Sequence, residues 1–279
     1  MSGPPDGSAA VAPNNDAQVK LIKDSYDYPA SGFTGDFKGR FLGRVNRRNG
    51  EIQLIVNCKW TISSEDPPDW YDRDHTLSTS GKAEFLTFQS EFKSVVQQAW
   101  SGVFEIQPDI PADKNFRYAA RVIVVNDAEP SDAHLEVIIH SNALSRSSAG
   151  EKGGKRIMDL KVGTAGGKPA DTRYFDERLM EGDVYNRCTA THEFGHHIGL
   201  HHPLQGKLTS AGTQASGLQE YGETAPDKGC IMGWGTTVQE RHYQPFLEIA
   251  KRYSAEVAPK VTTTWTLVQP NPVGSKKKR

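Results

Sequence analysis

The sequence predicts an α+β fold in which helices pack on a twisted mixed sheet. Residues 81–100 place apolar side chains at three- and four-residue spacings with polar residues between them, which is typical of one apolar face of a helix. Runs rich in Val and Ile, bounded by Pro, Asp, Ser or Gly, lie before and after this segment and are typical of strands. Because the two patterns do not alternate strictly, a regular βαβ architecture is not expected.

Composition and charge exclude several classes of function. The 279 residues include 33 Lys and Arg against 34 Asp and Glu, a net charge of −1, whereas nucleic-acid-binding domains usually carry a clear basic excess. No apolar run approaches the roughly 20 residues that a membrane span needs. We therefore expect no nucleic-acid partner and no membrane span, and the sequence leaves the oligomeric state open.

The N-terminus and the cysteines bear on the cellular compartment. The first residues lack both the basic start and the apolar core of roughly 7–15 residues that mark a secretory signal peptide. The 3 cysteines are too few for a disulfide framework and allow one bridge at most. We expect a protein that is secreted or delivered by a non-classical route, and a cytoplasmic location stays open.

Three parts are predicted along the chain. Residues 1–32 mix Pro, Gly, Asn, Asp and Ala without an apolar period and are interpreted as a flexible leader or pro-segment. Residues 33–203 form an N-terminal subdomain, and residues 204–279 form a smaller, irregular C-terminal subdomain that ends in a basic tail. The boundary lies where the chain becomes rich in Gly, Ser and Thr after Pro203.

The individual elements follow in order from residue 37. Two β-rich runs, 37–45 and 51–62, are separated by a turn that ends in Asn-Gly, and this arrangement predicts a hairpin. After the helix at 81–100, further strands are predicted over residues 103–107, 119–126, 135–141 and 156–162. A last helix should begin with Pro245 in its first turn, where the missing N–H group is not needed.

Five of the 9 histidines fall between residues 192 and 202, and two of them have a spacing that suits a metal site. On a helix, His192 and His196 lie four residues apart and project from one face, so their imidazole nitrogens can bind one zinc ion. Glu193 flanks that face, where a carboxylate can reach the attacking water as a general base without being a ligand.

A catalytic zinc site needs three protein ligands and one open position, so a third ligand is required. Gly199 can end the helix three residues after His196 and turn the chain back, because glycine adopts left-handed conformations without steric cost. His202 then reaches the metal as the third ligand. We interpret His197 and His201 as neighbours outside the ligand set.

The complete pattern H-E-x-x-H-x-x-G-x-x-H resembles that of the metzincin clan of zinc endopeptidases. Members of the clan carry a Met-containing turn below the metal, and Met232 within residues 230–233 resembles that residue. The segment HEFGH is similar to that of matrix metalloproteinases, and the segment GLHHP is similar to that of serralysins. Pro203 and Trp234 stand where astacins have Glu and Tyr. The clan is therefore assigned and the family within it is left open.

The resemblance implies a two-subdomain zinc peptidase with the zinc in a cleft between the subdomains. It implies hydrolysis of peptide bonds in protein or peptide substrates by a zinc-activated water, with Glu193 as the general base. The substrate would bind antiparallel to an exposed edge strand. Residues 156–162 are the first candidate for this strand, and residues 135–141 are the second. Gly233 and Trp234 would line the pocket for a substrate side chain.

Two further expectations depend on the resemblance. In the arrangement of the clan, Cys188 and Cys230 lie near one another, so one expectation is a disulfide between the zinc helix and the Met-turn, and the other is two buried thiols. The stretch from Phe33 to Asp36 is similar to the F-x-G-D switch of astacin pro-segments. This likeness places Asp36 on the zinc as a latency switch, and an ordinary Gly-Asp turn is the alternative.

Three alternatives stay open at this point. A catalytically silent zinc-containing scaffold or binding protein would keep the fold, although such a role does not need Glu193. A gluzincin-type site would take Glu220 or Glu223 as its third ligand. His134 and His140 lie an even number of residues apart and could hold a second zinc ion from one face of a strand.

Overall fold

A mixed β-sheet lies at the centre of the computed structural model, and the larger helices pack on it. The structure describes residues 23–71, 77–110, 113–126, 128–129, 131–141, 147–163, 169–179, 182–259 and 262–270. The helices are α1 Thr79–Trp100, α2 Thr189–His197, α3 Ala225–Lys228 and α4 Gln244–Val257. The strands are β1 Ser25–Tyr28, β2 Leu42–Asn46, β3 Glu51–Ile62, β4 Glu105–Pro108, β5 Tyr118–Val125, β6 Leu135–His140, β7 Ser148–Lys152, β8 Lys155–Lys161, β9 Phe175–Arg178, β10 Val184–Arg187 and β11 Trp265–Val268.

Within the described residues, the main sheet has 9 strands in the order β11-β4-β5-β3-β6-β8-β7, with β1 and β2 at its side. The first half of β3 pairs with β2 and β5, and its second half pairs with β6. Strands β3, β5, β6 and β8 are parallel, whereas β4, β7 and β11 are antiparallel to their neighbours. This mixed sheet with its helices confirms the predicted α+β class. Strands β9 and β10 form a separate hairpin before α2.

Most predicted elements are confirmed within two residues at each end. The hairpin forms between β2 and β3, with Leu42 opposite Ile55. The first predicted run, 37–45, is too long at its start, because the strand begins only at Leu42 and Phe37 belongs to a short 3₁₀ turn. The first predicted helix is α1, the four later strands are β4, β5, β6 and β8, and α4 begins one residue before Pro245. In the part of the chain that the structure describes, no helix is both long enough and apolar enough to cross a membrane.

Helix α1 begins at a serine cap and presents an aromatic face to the sheet. Ser78 Oγ accepts the backbone N–H of Gly81 at 3.0 Å, which satisfies one free donor of the first turn. The ring of Trp60 in β3 lies edge-on to three rings of α1 at 5.3–6.4 Å: Phe85, Phe88 and Phe92. At the end of α1, Trp100 Nε1 donates to the carbonyl of Thr191 in α2 at 3.0 Å. Helix α1 therefore anchors α2 to the sheet.

Part of the predicted leader is a strand. Strand β1 pairs antiparallel with β2, and its Tyr26 and Tyr28 side chains are buried. The ring of Tyr26 lies edge-on to that of Tyr253 in α4 at 5.0 Å. A flexible leader through residue 32 is therefore wrong for this segment. Two tyrosines at alternate positions give a short strand an apolar face that its polar neighbours conceal in the sequence. The leader before residue 23 and the basic tail lie outside the described residues.

The described C-terminal elements α4 and β11 contact the main sheet. Helix α4 packs against β2 and β3, and β11 pairs with β4 at one edge of the main sheet. The buried carboxylate of Asp113 accepts hydrogen bonds from Arg47 at 2.7 Å and from Tyr118 at 3.0 Å. Tyr253 of α4 donates to the same carboxylate. These contacts hold the last helix against the N-terminal sheet, and the predicted division after residue 203 stays a prediction.

The edge of the sheet near α2 differs from the prediction. Strand β8, the first candidate for an exposed edge, is internal because β7 pairs with it. Strand β6, the second candidate, lies one strand further inside. Strand β7 contacts α2 and is the edge strand of the described sheet on that side. Its sequence, SAGEK, has no alternation of apolar and polar residues, so the two-residue period could not reveal it.

His242 is buried in the turn before α4, with its ring 6.2 Å from that of Trp100. Its Nδ1 accepts the backbone N–H of Gln239 at 3.0 Å. Burial, and to a smaller extent the charge of Arg241, lowers the pKa of His242 to about 3. The unfolded chain has a histidine pKa of about 6.5. Between these two pH values the unfolded state therefore binds more protons than the folded state, and stability is lost as the pH falls.

We predict that His242 contributes about 1.4 kcal/mol per pH unit to the fall in the free energy of unfolding between about pH 6 and pH 4. His242→Asn retains an oxygen acceptor for the Gln239 N–H but does not titrate in this range. The free energy of unfolding of this variant should therefore fall less steeply with pH than that of the wild type, by about 1.4 kcal/mol per pH unit. Urea unfolding at several pH values measures both slopes, and equal slopes would show that His242 is readily protonated in the fold.

Candidate metal centre

Helix α2 carries two of the three predicted ligands, and the chain that leaves the helix supplies the third. Nε2 of His202 lies 3.2 Å from Nε2 of His192 and 3.0 Å from Nε2 of His196. One ligand atom from each ring lies within 4.8 Å of the others, so the group can hold a metal ion. No other cluster of three His, Cys, Asp or Glu side chains of this kind occurs among the described residues.

Carbonyl oxygens fix the orientation of both helical ligands. Nδ1 of His192 donates to Ile231 at 2.8 Å, and Nδ1 of His196 donates to Leu200 at 2.9 Å. With the proton on Nδ1, each Nε2 directs its lone pair to the common centre. Burial, followed by the charge of Arg187, lowers the pKa of His192 well below its usual value. The ring is therefore neutral, as a metal ligand must be.

Gly199 makes the turn that directs the chain back toward the helix. Its φ is +95°, in the left-handed region that favours glycine. A Cβ at this position would lie 2.8 Å from the carbonyl oxygen of Asp36. After the turn, the backbone N–H of Leu200 donates to the carbonyl of Gly195 at 2.9 Å. Both the backbone conformation and the close neighbour disfavour a larger residue at this point.

Met232 lies against α2 between the two helical ligands. Its side chain is fully buried, and a Cβ on Gly195 would lie 2.2 Å from its sulfur. Gly195 thus allows the thioether to approach the helix backbone. The preceding residue, Ile231, supplies the carbonyl that orients His192. Residues 230–233 therefore support the centre through both packing and a hydrogen bond.

Glu193 is the only acidic residue in α2. It follows His192 directly, and its side chain is buried. A carboxylate at this position is of the type that can serve as a general base.

A column of rings lies beside His202, and only one of its members was predicted. The ring of Tyr221 lies 4.0 Å from that of His202 and 5.6 Å from that of His192. Trp234 stacks on Tyr221 at 4.2 Å, and the guanidinium of Arg187 lies 5.2 Å from the ring of Trp234. Tyr221 and Arg187 have no periodic relation to the motif in the sequence, so no pattern could assign them to the site.

A cavity of about 490 Å³ opens beside Trp234. Leu179 and Leu218 give it further apolar lining, and Glu223 and Lys228 add charges. Leu218 is 62% exposed, so its apolar surface at the cavity is open to a ligand.

Gly233 and Glu223 differ from their predicted roles. A Cβ on Gly233 would lie 2.2 Å from the carbonyl oxygen of Asp227, so this glycine is required by close backbone packing and does not line the cavity. Glu223 accepts the backbone N–H of Ser210 at 2.8 Å. Neither Glu223 nor Glu220 belongs to the three-ligand group, and the gluzincin-type alternative is not formed.

The structure does not place Asp36 on the metal centre as a latency switch. Its carboxylate lies 3.5 Å from Nε2 of His201, and both side chains are exposed. The backbone around Asp36 forms a short turn, Gly35–Phe37, whose carbonyl oxygen and Phe37 ring pack against Gly199. The alternative of an ordinary turn therefore describes this segment, and the turn covers the end of α2.

The expected disulfide between Cys188 and Cys230 is not formed. Both thiols are free and buried, and burial raises the pKa of each. Cys188 Sγ donates to the carbonyl of Asp171 at 3.3 Å, whereas Cys230 Sγ accepts from Arg241 at 3.4 Å. Because each sulfur is engaged by a different part of the chain, the alternative of two buried thiols describes the structure.

His197 and Arg40 hold the C-terminal end of α2. Nε2 of His197 donates to the carbonyl of Arg40 at 2.8 Å. Burial, followed by the charge of Arg40, lowers the pKa of His197 to about 3. In return, Arg40 Nη1 donates to the carbonyls of His196 at 2.8 Å and of His197 at 2.7 Å. A cation at these free carbonyls also suits the helix dipole.

His134 and His140 do not form a second metal site among the described residues. Nδ1 of His134 accepts the backbone N–H of Asn57 at 3.0 Å. Nε2 of His140 lies 2.9 Å from a carboxylate oxygen of Asp159. Both rings therefore have structural partners.

No family model, no curated protein and no solved structure matches the chain. A functional assignment therefore depends on the geometry of the three histidines and on the motif that they form.

We predict that Gly199→Ala lowers the free energy of unfolding by about 2–4 kcal/mol, because alanine adds left-handed strain and a clash with the Asp36 carbonyl. Gly212→Ala is the matched control: Gly212 has a φ of +77° and no atom within 4 Å of an added Cβ. The control should lose only about 1–2 kcal/mol. Denaturant unfolding measures both, and equal losses would contradict a steric role for the Asp36 carbonyl.

Proposed function

We propose that the protein is a zinc-dependent endopeptidase that hydrolyses peptide bonds of protein substrates, with Glu193 as the general base. One observation carries the proposal: Nε2 of His202 lies within 3.2 Å of the Nε2 atoms of His192 and His196. The resemblance of H-E-x-x-H-x-x-G-x-x-H to the metzincin pattern supports it, because that clan uses the same residue types in the same order.

The donor set fits zinc in number, type and spacing. A tetrahedral zinc ion with Zn–N distances of roughly 2.0–2.1 Å separates its nitrogen ligands by about 3.3 Å. Two of the Nε2 separations are 3.0 and 3.2 Å. Three imidazoles leave one tetrahedral position open, as in catalytic zinc sites. A set without carboxylate ligands does not suit calcium or magnesium, which prefer oxygen.

A zinc ion held by these three rings would supply Lewis acidity toward a substrate carbonyl and would lower the pKa of a water molecule. Glu193 would accept the proton of the attacking water while the new C–O bond forms. The same carboxyl group would then donate that proton to the nitrogen of the leaving amine. Two observations support this role: Glu193 follows the ligand His192 directly on α2, and its side chain is buried.

Strand β7 and the cavity beside Trp234 suit an extended peptide. In the described sheet no strand lies beyond β7, so its outer backbone groups can pair with a peptide that adds as a further strand. Leu179, Leu218 and Trp234 would then receive an apolar side chain of that peptide. We propose that the preferred substrates carry an apolar residue next to the cleaved bond.

We predict that Glu193→Gln keeps one zinc ion per chain but lowers the turnover number by about 10²–10⁴-fold, because the general base is lost and the ligands remain. His201→Gln is the matched control, since His201 neighbours the site but is exposed and outside the ligand group. Cleavage of casein and of a peptide library, together with zinc analysis, measures both effects.

Two results would contradict this assignment. A Glu193→Gln variant with wild-type turnover would exclude Glu193 as the base. A wild type that is fully loaded with zinc but cleaves no peptide in the library would favour the silent scaffold instead.

We predict that Leu218→Asp lowers kcat/KM for peptides with leucine after the cleaved bond by about tenfold relative to the same peptides with lysine. A carboxylate in the cavity lining disfavours apolar side chains and attracts basic ones. Leu208→Asp is the control, because Leu208 is similarly exposed but does not line the cavity. The same change of preference in both variants would show that this cavity does not select the substrate.

A further inference from the structure

We propose that the short 3₁₀ helix Gly217–Tyr221 positions the third metal ligand through two adjacent side chains, Glu220 and Tyr221. Glu220 faces one edge of the His202 ring and Tyr221 stacks against the ring. This inference rests on the metal site of the proposed function and assigns positioning residues to it.

His202 needs a separate positioning element because it lies outside α2. The helix holds the backbones of His192 and His196, and carbonyls at 2.8 and 2.9 Å fix their Nδ1 atoms. His202 follows the turn at Gly199, in a segment without regular structure. A ring on such a segment keeps its direction only if side chains around it restrict its rotation.

Glu220 supplies the polar contact. Its Oε2 lies 3.5 Å from Nδ1 of His202, and the His202 side chain is only 9% exposed. A carboxylate beside Nδ1 favours the proton on that nitrogen, which leaves the lone pair of Nε2 for a metal and increases its basicity. The backbones are also joined, because the N–H of Leu204 donates to the carbonyl of Glu220 at 2.9 Å. The 3₁₀ helix and the ligand segment are therefore linked.

Tyr221 supplies the packing contact. Its ring is buried and lies 4.0 Å from that of His202 with a 31° angle between the planes. Trp234 stacks on Tyr221 at 4.2 Å and 21°. The guanidinium of Arg187 lies 5.2 Å from Trp234 and is paired with Glu177 at 3.3 Å. The column thus extends from the β9–β10 hairpin to the ligand ring, and it restricts tilting of His202.

The test measures zinc affinity of the full chain by competition with a chromophoric chelator. Glu220→Gln and Tyr221→Leu should each weaken zinc binding by about ten- to a hundredfold, the usual effect of losing a residue that orients a ligand. Tyr221→Phe retains the ring and should remain within about threefold of the wild type, since stacking needs no hydroxyl. Leu218→Ala lies on the same 3₁₀ helix, is exposed, and should bind zinc like the wild type.

Cobalt(II) in place of zinc gives a readout that a general loss of stability would not produce. The visible band of the bound cobalt ion depends on the geometry of its ligands, so Glu220→Gln and Tyr221→Leu should change its position or intensity. Tyr221→Phe and Leu218→Ala should leave the band unchanged. Near-isosteric Glu220→Gln keeps the test decisive if Tyr221→Leu does not fold.

The outcomes separate this inference from the proposed function. A wild type that binds one zinc ion, together with Glu220 and Tyr221 variants of equal affinity and unchanged cobalt spectra, would overturn the positioning role alone. A wild type that binds no zinc would overturn the proposed function and the positioning role with it.

Discussion

The convergence of three imidazole nitrogens is the constraint on which the site depends. Lone pairs whose nitrogens lie 3.0–3.2 Å apart repel one another, and a shared cation changes this repulsion into attraction. The protein must hold the rings together before that cation arrives. The carbonyls of Ile231 and Leu200 do so for the two helical ligands. Glu220 and Tyr221 are placed to do so for His202.

The helix that carries the site needs support from the rest of the fold. Helix α2 has only 9 residues, and helices of this length are not stable alone in water. Trp100 contacts its first turn, Arg40 satisfies carbonyls in its last turn, and Met232 packs against Gly195 at its middle. These contacts come from three separate segments of the chain, so the position of α2 depends on how those segments fold around it. Rigid support of this kind is what a precise metal site requires.

The sequence predicts the parts of this site that depend on local geometry. The spacing of His192 and His196 follows from the helix period, and the turn at Gly199 follows from the freedom of glycine. Most strands with strong apolar patterns likewise lie within two residues of their predicted bounds, although β2 begins five residues after the start of its predicted run.

Contacts between distant segments have no corresponding pattern in the sequence, so they could not be predicted. Strands β1 and β7 are short and polar, the Asp113 cluster joins three separate regions, and the stack of Tyr221 on His202 depends on how two irregular segments meet.

The central claim, that three imidazoles bind one zinc ion, is tested most directly by X-ray absorption at the zinc edge of protein loaded with one equivalent of metal. The account predicts three imidazole nitrogens at about 2.0–2.1 Å and one further light atom. Sulfur at about 2.3 Å, or a shell of six oxygens, would contradict it.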